Sequence, residues 1–440
     1  MPTLKLHPVP GRYCTLCLAL LCCFVAPRTT LFGQQKITLR EKYQEGELYL
    51  VEASTEQKGD LDVVPDARQP NLPKRLSKTG KAKSQYLEKV LTVDVDQLAN
   101  KTIRKYLVLE AEQKIGNDST QAKLRPQLQH VLLDRKGSQA VTFSPDGPML
   151  IGELEQIRTD VFLPRLTGLL PKQDVVPGNS WKATNEAVQE LTDMQKVDSG
   201  SLNCVFSQME TADIALIKFD GQVTGATPTG SNQQTIQGNY RFDLKAQRLV
   251  ALKFEVTSIL MDRDRKRVGD ISAVYSMTRK PAPSQTLATT GMTLEASEEN
   301  TLLLVQEPRI GLEMVHSRRW VPRPVNDKSW IIDGPSGSGL TIQFEAAGTI
   351  PQAEAVRKQI EATLGKSVQN LKPLPDPAGW ADVQRLSWTG AQNGKEYVFE
   401  YFLWKQGSKG AIIAGRYFAP EANLAQKDVE RMIKGLRVGP

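Results

Sequence analysis

Between residues 37 and 278 apolar side chains recur at every second position, the period of a strand with one buried face. Val250, Leu252, Phe254, Val256 and Leu260 share one face of a long predicted strand, opposite Lys253, Glu255 and Thr257. The alternation resumes at Ile271, Ala273, Tyr275 and Met277, beyond a charged tip at 262–267. Stretches 87–95, 103–111, 131–143 and 240–244 behave alike, and turn residues at Asn117-Asp118, Lys136-Gly137 and 145–148 separate them. Helical spacing interrupts the pattern twice, at Leu154, Ile157 and Val161 before Pro164, and at Val188, Leu191 and Gln195. This predicts a large, mainly antiparallel β domain, a curved sheet or half-barrel with one or two short helices on one face. The Pro-, Lys- and Gln-rich stretch 62–84 reads as a solvated loop.

Residues 280–303 are poor in large apolar side chains and read as an interdomain linker. The domain expected at 304–440 differs in composition, holding Trp320, Trp330, Trp380, Trp388 and Trp404 of the six tryptophans. Its segment 397–404 is apolar on both faces: Tyr397, Phe399, Tyr401 and Leu403 on one, Val398, Phe402 and Trp404 on the other. A strand wet on one side does not read this way, so a central strand covered twice is expected. Two helices supply the covers. Pro351 opens one with Ala353, Val356, Ile360 and Leu364 on one face and Gly365 at its end; the other carries Ala425, Val429, Met432 and Ile433 and stops at Gly435. Further strands are expected at 312–321, 330–333, 340–346, 368–374, 383–389, 396–405 and 411–418. The fold class is therefore α+β: a β-rich domain at 34–279 followed by an antiparallel α+β sandwich.

Residues 1–33 form a separate segment. Lys5 and Arg12 precede an apolar run at 14–26, long enough for a signal-peptide core and short for a membrane span. Cleavage is expected after Gly33, with a site near Ala26 as the alternative, and retention of the segment as an anchor stays open. Four of the five cysteines lie within it, leaving Cys204 in an apolar alternating stretch where it reads as core. An exported chain with one cysteine has no internal disulfide and stands on packing. Losing Lys5, Arg12 and Arg28 lowers the formal charge from +7 to +4, which does not argue for a nucleic-acid partner. No apolar run in the body is long enough for a transmembrane helix.

Motifs for chemistry fail on inspection. The 334–341 stretch, Gly-Pro-Ser-Gly-Ser-Gly-Leu-Thr, has Leu340 where a phosphate-binding loop needs lysine, and it leads into alternating residues rather than a helix. Asp198-Ser199-Gly200-Ser201 has the letters of an aspartic-protease loop, but no second copy exists to share the proton, and it reads as a turn. His130 and His316 are the histidines beyond the leader, neither with a cysteine or histidine at metal-ligand spacing. Glu153 and Glu155 read as a solvated helix start. The 263–267 tip reads as a charged hairpin end that keeps strand edges soluble. Asn100-Lys101-Thr102 and Asn117-Asp118-Ser119 match the glycan acceptor pattern, which matters only in a eukaryotic secretory pathway. No catalytic, cofactor-binding or metal-ligating residue is assigned, and no cofactor is expected.

From residue 308 onward the chain resembles the Mog1/PsbP-like α/β/α sandwich. The resemblance rests on Gly311-Leu312 leading to Trp320-Val321-Pro322, the helix after Pro351, the aromatic strand at 397–404 and the closing helix to Leu436-Arg437-Val438. It implies an accessory or binding role, and no residue-level site transfers. The first domain is similar to uncharacterised exported β-rich proteins of planctomycete-type bacteria, through Ser144-Pro145-Asp146-Gly147-Pro148, Leu169-Leu170-Pro171, Pro177-Gly178-Asn179-Ser180-Trp181 and Tyr240-Arg241-Phe242-Asp243-Leu244. Two functions are carried forward. One is an exported, non-enzymatic interaction module with an envelope or extracellular macromolecule as partner. The other is a carrier of an apolar ligand such as a lipid in a curved-sheet pocket.

Overall fold

The computed structural model describes residues 36–439 except 64–73, 137–138, 159–160, 162, 228–229, 263, 284, 376–379 and 381; the leader expected at 1–33 lies outside them. The chain is mostly strand. The first domain contains β1 (Leu48–Asp62), β2 (Arg75–Val93), β3 (Ala99–Ile115), β4 (Asp118–Lys123), β5 (His130–Lys136), β6 (Gln139–Phe143) and β7 (Met149–Leu150). Then come α1 (Ile151–Arg158), β8 (Ser180–Lys182), α2 (Asn185–Thr192), β9 (Lys196–Met209), β10 (Ile214–Thr227), β11 (Gly230–Asp243), β12 (Arg248–Met261) and β13 (Arg267–Pro281). Eleven of these strands run in the order β6-β5-β3-β2-β1-β13-β12-β11-β10-β9-β8, with β4 added beside β3. Every pairing in this sheet is antiparallel, and its ends do not meet, so it is an open sheet and not a closed barrel.

The inner face is filled. Leu39 and Tyr43 from the N-terminal segment, Leu154 and Ile157 of α1, Leu166 and Leu169 of a short 3-10 turn, and Val188 and Leu191 of α2 lie on Val51, Tyr86, Phe206, Phe219, Tyr240 and Leu252 of the sheet. Thr184 caps α2, its hydroxyl accepting from Ala187 N. Beyond this core β1, β2 and β3 continue as a wing whose residues mostly alternate between exposed and half-exposed, flanked by β4, which is exposed throughout. Here one expectation is corrected. Residues 75–84, read as loop, are strand, because Thr79 is paired with Lys58 on one side and Lys114 on the other. Ladder hydrogen bonds hold a polar strand that has no apolar face to reveal it.

The second domain contains β14 (Leu303–Glu307), β15 (Leu312–His316), β16 (Val321–Asn326), β17 (Ser329–Asp333), β18 (Gly339–Ala346), α3 (Ala353–Leu364), β19 (Gln369–Pro373), β20 (Val383–Gln392), β21 (Lys395–Gln406), β22 (Lys409–Phe418), α4 (Ala422–Gly435) and β23 (Arg437–Val438). Seven of these make the antiparallel sheet β16-β17-β18-β22-β21-β20-β19. Val356 and Ile360 of α3 pack on Trp388, Tyr397, Phe399 and Leu403. Val429, Met432 and Ile433 of α4 pack on the opposite face with Phe402, Trp404 and Ile413. The doubly covered central strand is thus β21. The strand expected over 312–321 is broken, because Trp320 turns inward, 1% exposed, and its Nε1 donates to Asp428 on α4 at 2.8 Å.

The 280–303 segment, expected as an interdomain linker, lies across the outer face of the first sheet. Leu287 is 5% exposed against Ile103, Leu132 and Phe143, with Met292 and Leu294 beside it. Lys101 Nζ holds Glu295 at 2.5 Å. After this strap, β14 pairs in parallel with β7 and antiparallel with β15, which pairs with β23. A four-stranded sheet therefore takes strands from both domains.

Candidate functional site

Charged side chains occupy inward positions on neighbouring strands of the first sheet. The register sets Arg104, Glu88 and Tyr49 in one row across β3, β2 and β1, and Tyr106, Tyr86, Val51 and Arg279 in the next. Arg104 Nε donates to Glu88 at 3.0 Å and its guanidinium lies 4.3 Å over the Tyr86 ring. Arg279 Nη1 donates to Tyr43 OH at 3.1 Å, and its guanidinium lies 3.9 Å over the Tyr49 ring. Glu41 and Glu88 each stand 4.0 Å from Arg279. Tyr43 OH donates to Glu41, whose other oxygen accepts from Leu249 N at 3.0 Å. All four charges of this box are almost fully buried. Burial pushes the Glu41 carboxyl up against the pull of Arg279. For Arg279 burial acts downward, but Tyr43, Glu88 and Glu41 outweigh it and hold the guanidinium charged.

The box clamps residues 36–47 onto the sheet. Two glutamines with left-handed backbones assist: Gln97 (φ 60°) offers its carbonyl to Tyr43 N at 2.8 Å, and Gln247 (φ 52°) offers its own to Lys42 N at 3.2 Å. Left-handed non-glycine residues cost energy and persist only where their surroundings fix them.

Above the clamp opens a cleft of about 920 Å³, walled by the Lys42–Tyr49 segment, the turn from Asp243 to Arg248 and the start of the strap to Leu287. Arg248 forms its inner wall. The guanidinium bonds Glu47 Oε1 at 2.5 Å and Ala246 O at 3.1 Å, and lies over the Tyr43 and Tyr49 rings at 5.2 and 4.9 Å. Burial alone would raise the Glu47 carboxyl, but hydrogen bonds from Arg248, Gln44 N and Tyr49 OH outweigh it and leave it below its ordinary value. Burial pushes both Tyr43 and Tyr49 far above theirs. Asp243 is engaged by the turn amides Lys245 N and Ala246 N at 2.9 and 2.8 Å. At the rim stand Lys42 and Lys245, exposed, and Lys89, half-buried with Nζ 3.4 Å from Leu287 O.

The motifs weighed from sequence lie elsewhere. The glycine-rich 334–341 stretch joins β17 to β18, as a hairpin between strands. Asp198 to Ser201 are inside β9 and not in a turn; Gly200 (φ 91°) pairs with Val223 of β10, and the register shifts two residues earlier, at Asp198. His130 Nδ1 pairs with Asp146 at 3.1 Å, while His316 is buried beside Ser317 O. Glu153, read as solvated, is 3% exposed and takes two hydrogen bonds from the Arg125 guanidinium, one from Arg125 N and one from Leu150 N. Cys204 is fully buried, and burial, with the Asp220 carboxylate beside it, pushes its thiol up to about 12. Among the described residues no group of His, Cys, Asp or Glu is placed to hold a metal. The sequence reading missed the charged box. Its signal was Glu88, Arg104 and Arg279 standing in phase with inward Tyr86, Tyr106 and Met277.

No protein-family model and no curated protein matches the chain. Among solved structures, it is similar at 8% identity to OccK11 of Pseudomonas aeruginosa, over 87% of this chain and 99% of that one, with a TM-score of 0.13. It is similar at 7% identity to the translocator domain of the autotransporter NalP from Neisseria meningitidis, over 86% and 90%, with a TM-score of 0.12. The outer membrane protein OprD of Pseudomonas aeruginosa gives 7%, 87%, 96% and 0.13. Scores this low show no shared fold. Among the described residues no helix is long and apolar enough to cross a membrane.

Proposed function

We propose that the protein is an exported, non-enzymatic interaction module of the bacterial envelope or extracellular space, and that it takes its ligand or partner group in the charged cleft. The observation that carries this reading is the geometry of the cleft, where Glu47, Arg248, Tyr43 and Tyr49 hold one another in place. Its shifted groups move away from neutrality, Glu47 downward and both tyrosines upward, so none of the three is poised to exchange a proton near pH 7. They are tied to one another by hydrogen bonds and ring contacts, a pre-formed surface for binding. Export rests on the segment at 1–33. The helix–sheet–helix layering supports a Mog1/PsbP-like assignment for the second domain, and the accessory role implied by it agrees with a binding protein. The likeness of the first domain to planctomycete-type exported proteins is part of the same proposal.

The carrier alternative has weaker support. A lipid needs a continuous apolar lining, whereas the inner face of the first sheet is filled by its own helices and the cleft mixes apolar walls with charged ones. Native mass spectrometry on the protein purified gently from an exporting host tests both readings. A retained mass that disappears in Gln285→Trp, which places a bulky ring on the cleft wall, supports the proposal. A retained mass that organic solvent strips and that survives Gln285→Trp favours the lipid carrier. A bare polypeptide counts against a tightly held ligand and sends the search to protein partners by crosslinking.

A further inference from the structure

We infer that the cleft is built for a small, multiply charged anion bearing several phosphate or carboxylate oxygens. This rests on reading the cleft as the ligand site and names what enters it. Five cations line the cleft, Lys42, Lys89, Lys245, Arg248 and Arg279, but Arg248 is paired with Glu47 and Arg279 faces Glu41 and Glu88 below, so the charge offered to a ligand is that of the three lysines. The two carboxylates of the lining, Glu47 and Asp243, are already engaged. Glu47 is covered by Arg248, Tyr49 OH and Gln44 N, and Asp243 by the amides of its own turn. The Glu47 charge is balanced by Arg248, while Asp243 keeps its charge under neutral amides and is outnumbered by the three lysines. The three lysines come from three separate chain segments of the cleft wall, and a ligand with several negative charges can engage more than one of them.

The floor narrows the class further. Tyr43 and Tyr49 are 1% and 5% exposed, with their rings covered by guanidinium groups, so no aromatic face remains for a sugar or base to stack on. Charge and polar side chains such as Gln44, Gln97 and Gln285 are left to recognise a ligand's polar groups, beside apolar walls from Leu48, Val250 and Leu287. The volume of about 920 Å³ is that of a small-molecule site. Compact ammonium groups at the rim attract oxyanions as point charges without dictating a planar geometry. Phosphate and carboxylate ligands both meet these terms.

Isothermal titration of the full protein with tripolyphosphate and with citrate, at low and high salt, tests the inference. At least one probe is expected to bind more tightly than about 1 mM at low salt, and to weaken as salt screens the rim. Binding of tripolyphosphate alone identifies a phosphate ligand, and of citrate alone a carboxylate one. The double variant Lys42→Glu and Lys245→Glu, at exposed positions, is expected to lose at least tenfold in affinity. Lys266→Glu at the tip between β12 and β13 carries the same type of charge change outside the cleft and is expected to bind as the parent does. Binding of neither probe, or equal weakening by Lys266→Glu, overturns the inference. A neutral retained ligand that disappears in Gln285→Trp would overturn the anion alone and leave the proposed function standing.

Discussion

The absent side chain of Gly238 keeps an aromatic ladder closed. The register sets it between Phe219 on β10 and Phe254 on β12, whose rings approach to 6.4 Å between centroids. A Cβ at this position would stand 2.6 Å from Phe254 Cβ, 2.7 Å from the tip of Phe219 and 2.5 Å from Lys253 O. The ladder continues from Phe254 to Tyr275 at 5.2 Å and from Phe219 to Tyr240 at 6.2 Å, so displaced rings pass the strain along. Glycine inside a strand usually weakens it, and here the close approach of the rings explains its presence. Gly238→Val is expected to destabilise the protein by about 1–3 kcal/mol, the usual cost of overpacking a filled core. The measurement is urea unfolding, where a lower midpoint with an unchanged slope bears this out and an unchanged midpoint refutes it.

At the scale of elements, contrast between faces decided what was legible. The two helices were readable because their apolar residues hold one period over many positions, and the strand from Lys395 to Gln406 because its run is apolar on both faces. The polar wing was not, since residues 75–84 offer no apolar stripe and are strand only through neighbours on both sides. Trp320 and the strap fail for a related reason: their partners lie far away in sequence, at Asp428 and at Ile103, Leu132 and Phe143. The charged box was visible only as charges in phase with an apolar face, which sequence alone does not separate from a solvated edge. Edges are blunted locally. β8 has three residues, and β16 carries Pro322 and Pro324 at alternate positions, removing two donors from one side where exposed Val321 and Val325 would otherwise invite pairing. The strap belongs to the core by the same measure. Leu287→Ala, at a site 5% exposed, is expected to cost about 2–4 kcal/mol as a buried leucine does. A loss below about 0.5 kcal/mol in chemical unfolding would return the segment to the role of a linker.

For the whole molecule the junction determines whether two domains behave as one. Beyond the shared four-stranded sheet, Leu303 is buried in the first core, and Arg318 from the second domain donates to Thr142 O and, at 2.8 Å, to Thr301 O. Burial brings the Arg318 guanidinium down to about 10, with Arg158 adding to the effect, so this arginine is enclosed by the junction. Arg431 on α4 reaches back to Glu298 and Glu299 at 3.5 and 3.1 Å. Contacts of this kind couple the unfolding of both parts when they outweigh the difference between their separate stabilities. Two internal reporters separate the domains: Cys204 lies in the first core, and five of the six tryptophans lie in the second. Buried and held in its thiol form, Cys204 is expected to resist a thiol reagent until its own core opens. Urea titration followed by Cys204 labelling and by tryptophan fluorescence is expected to give one coincident transition. Two separated midpoints would show that the strap and the shared sheet join bodies that unfold independently, and would make the junction a hinge.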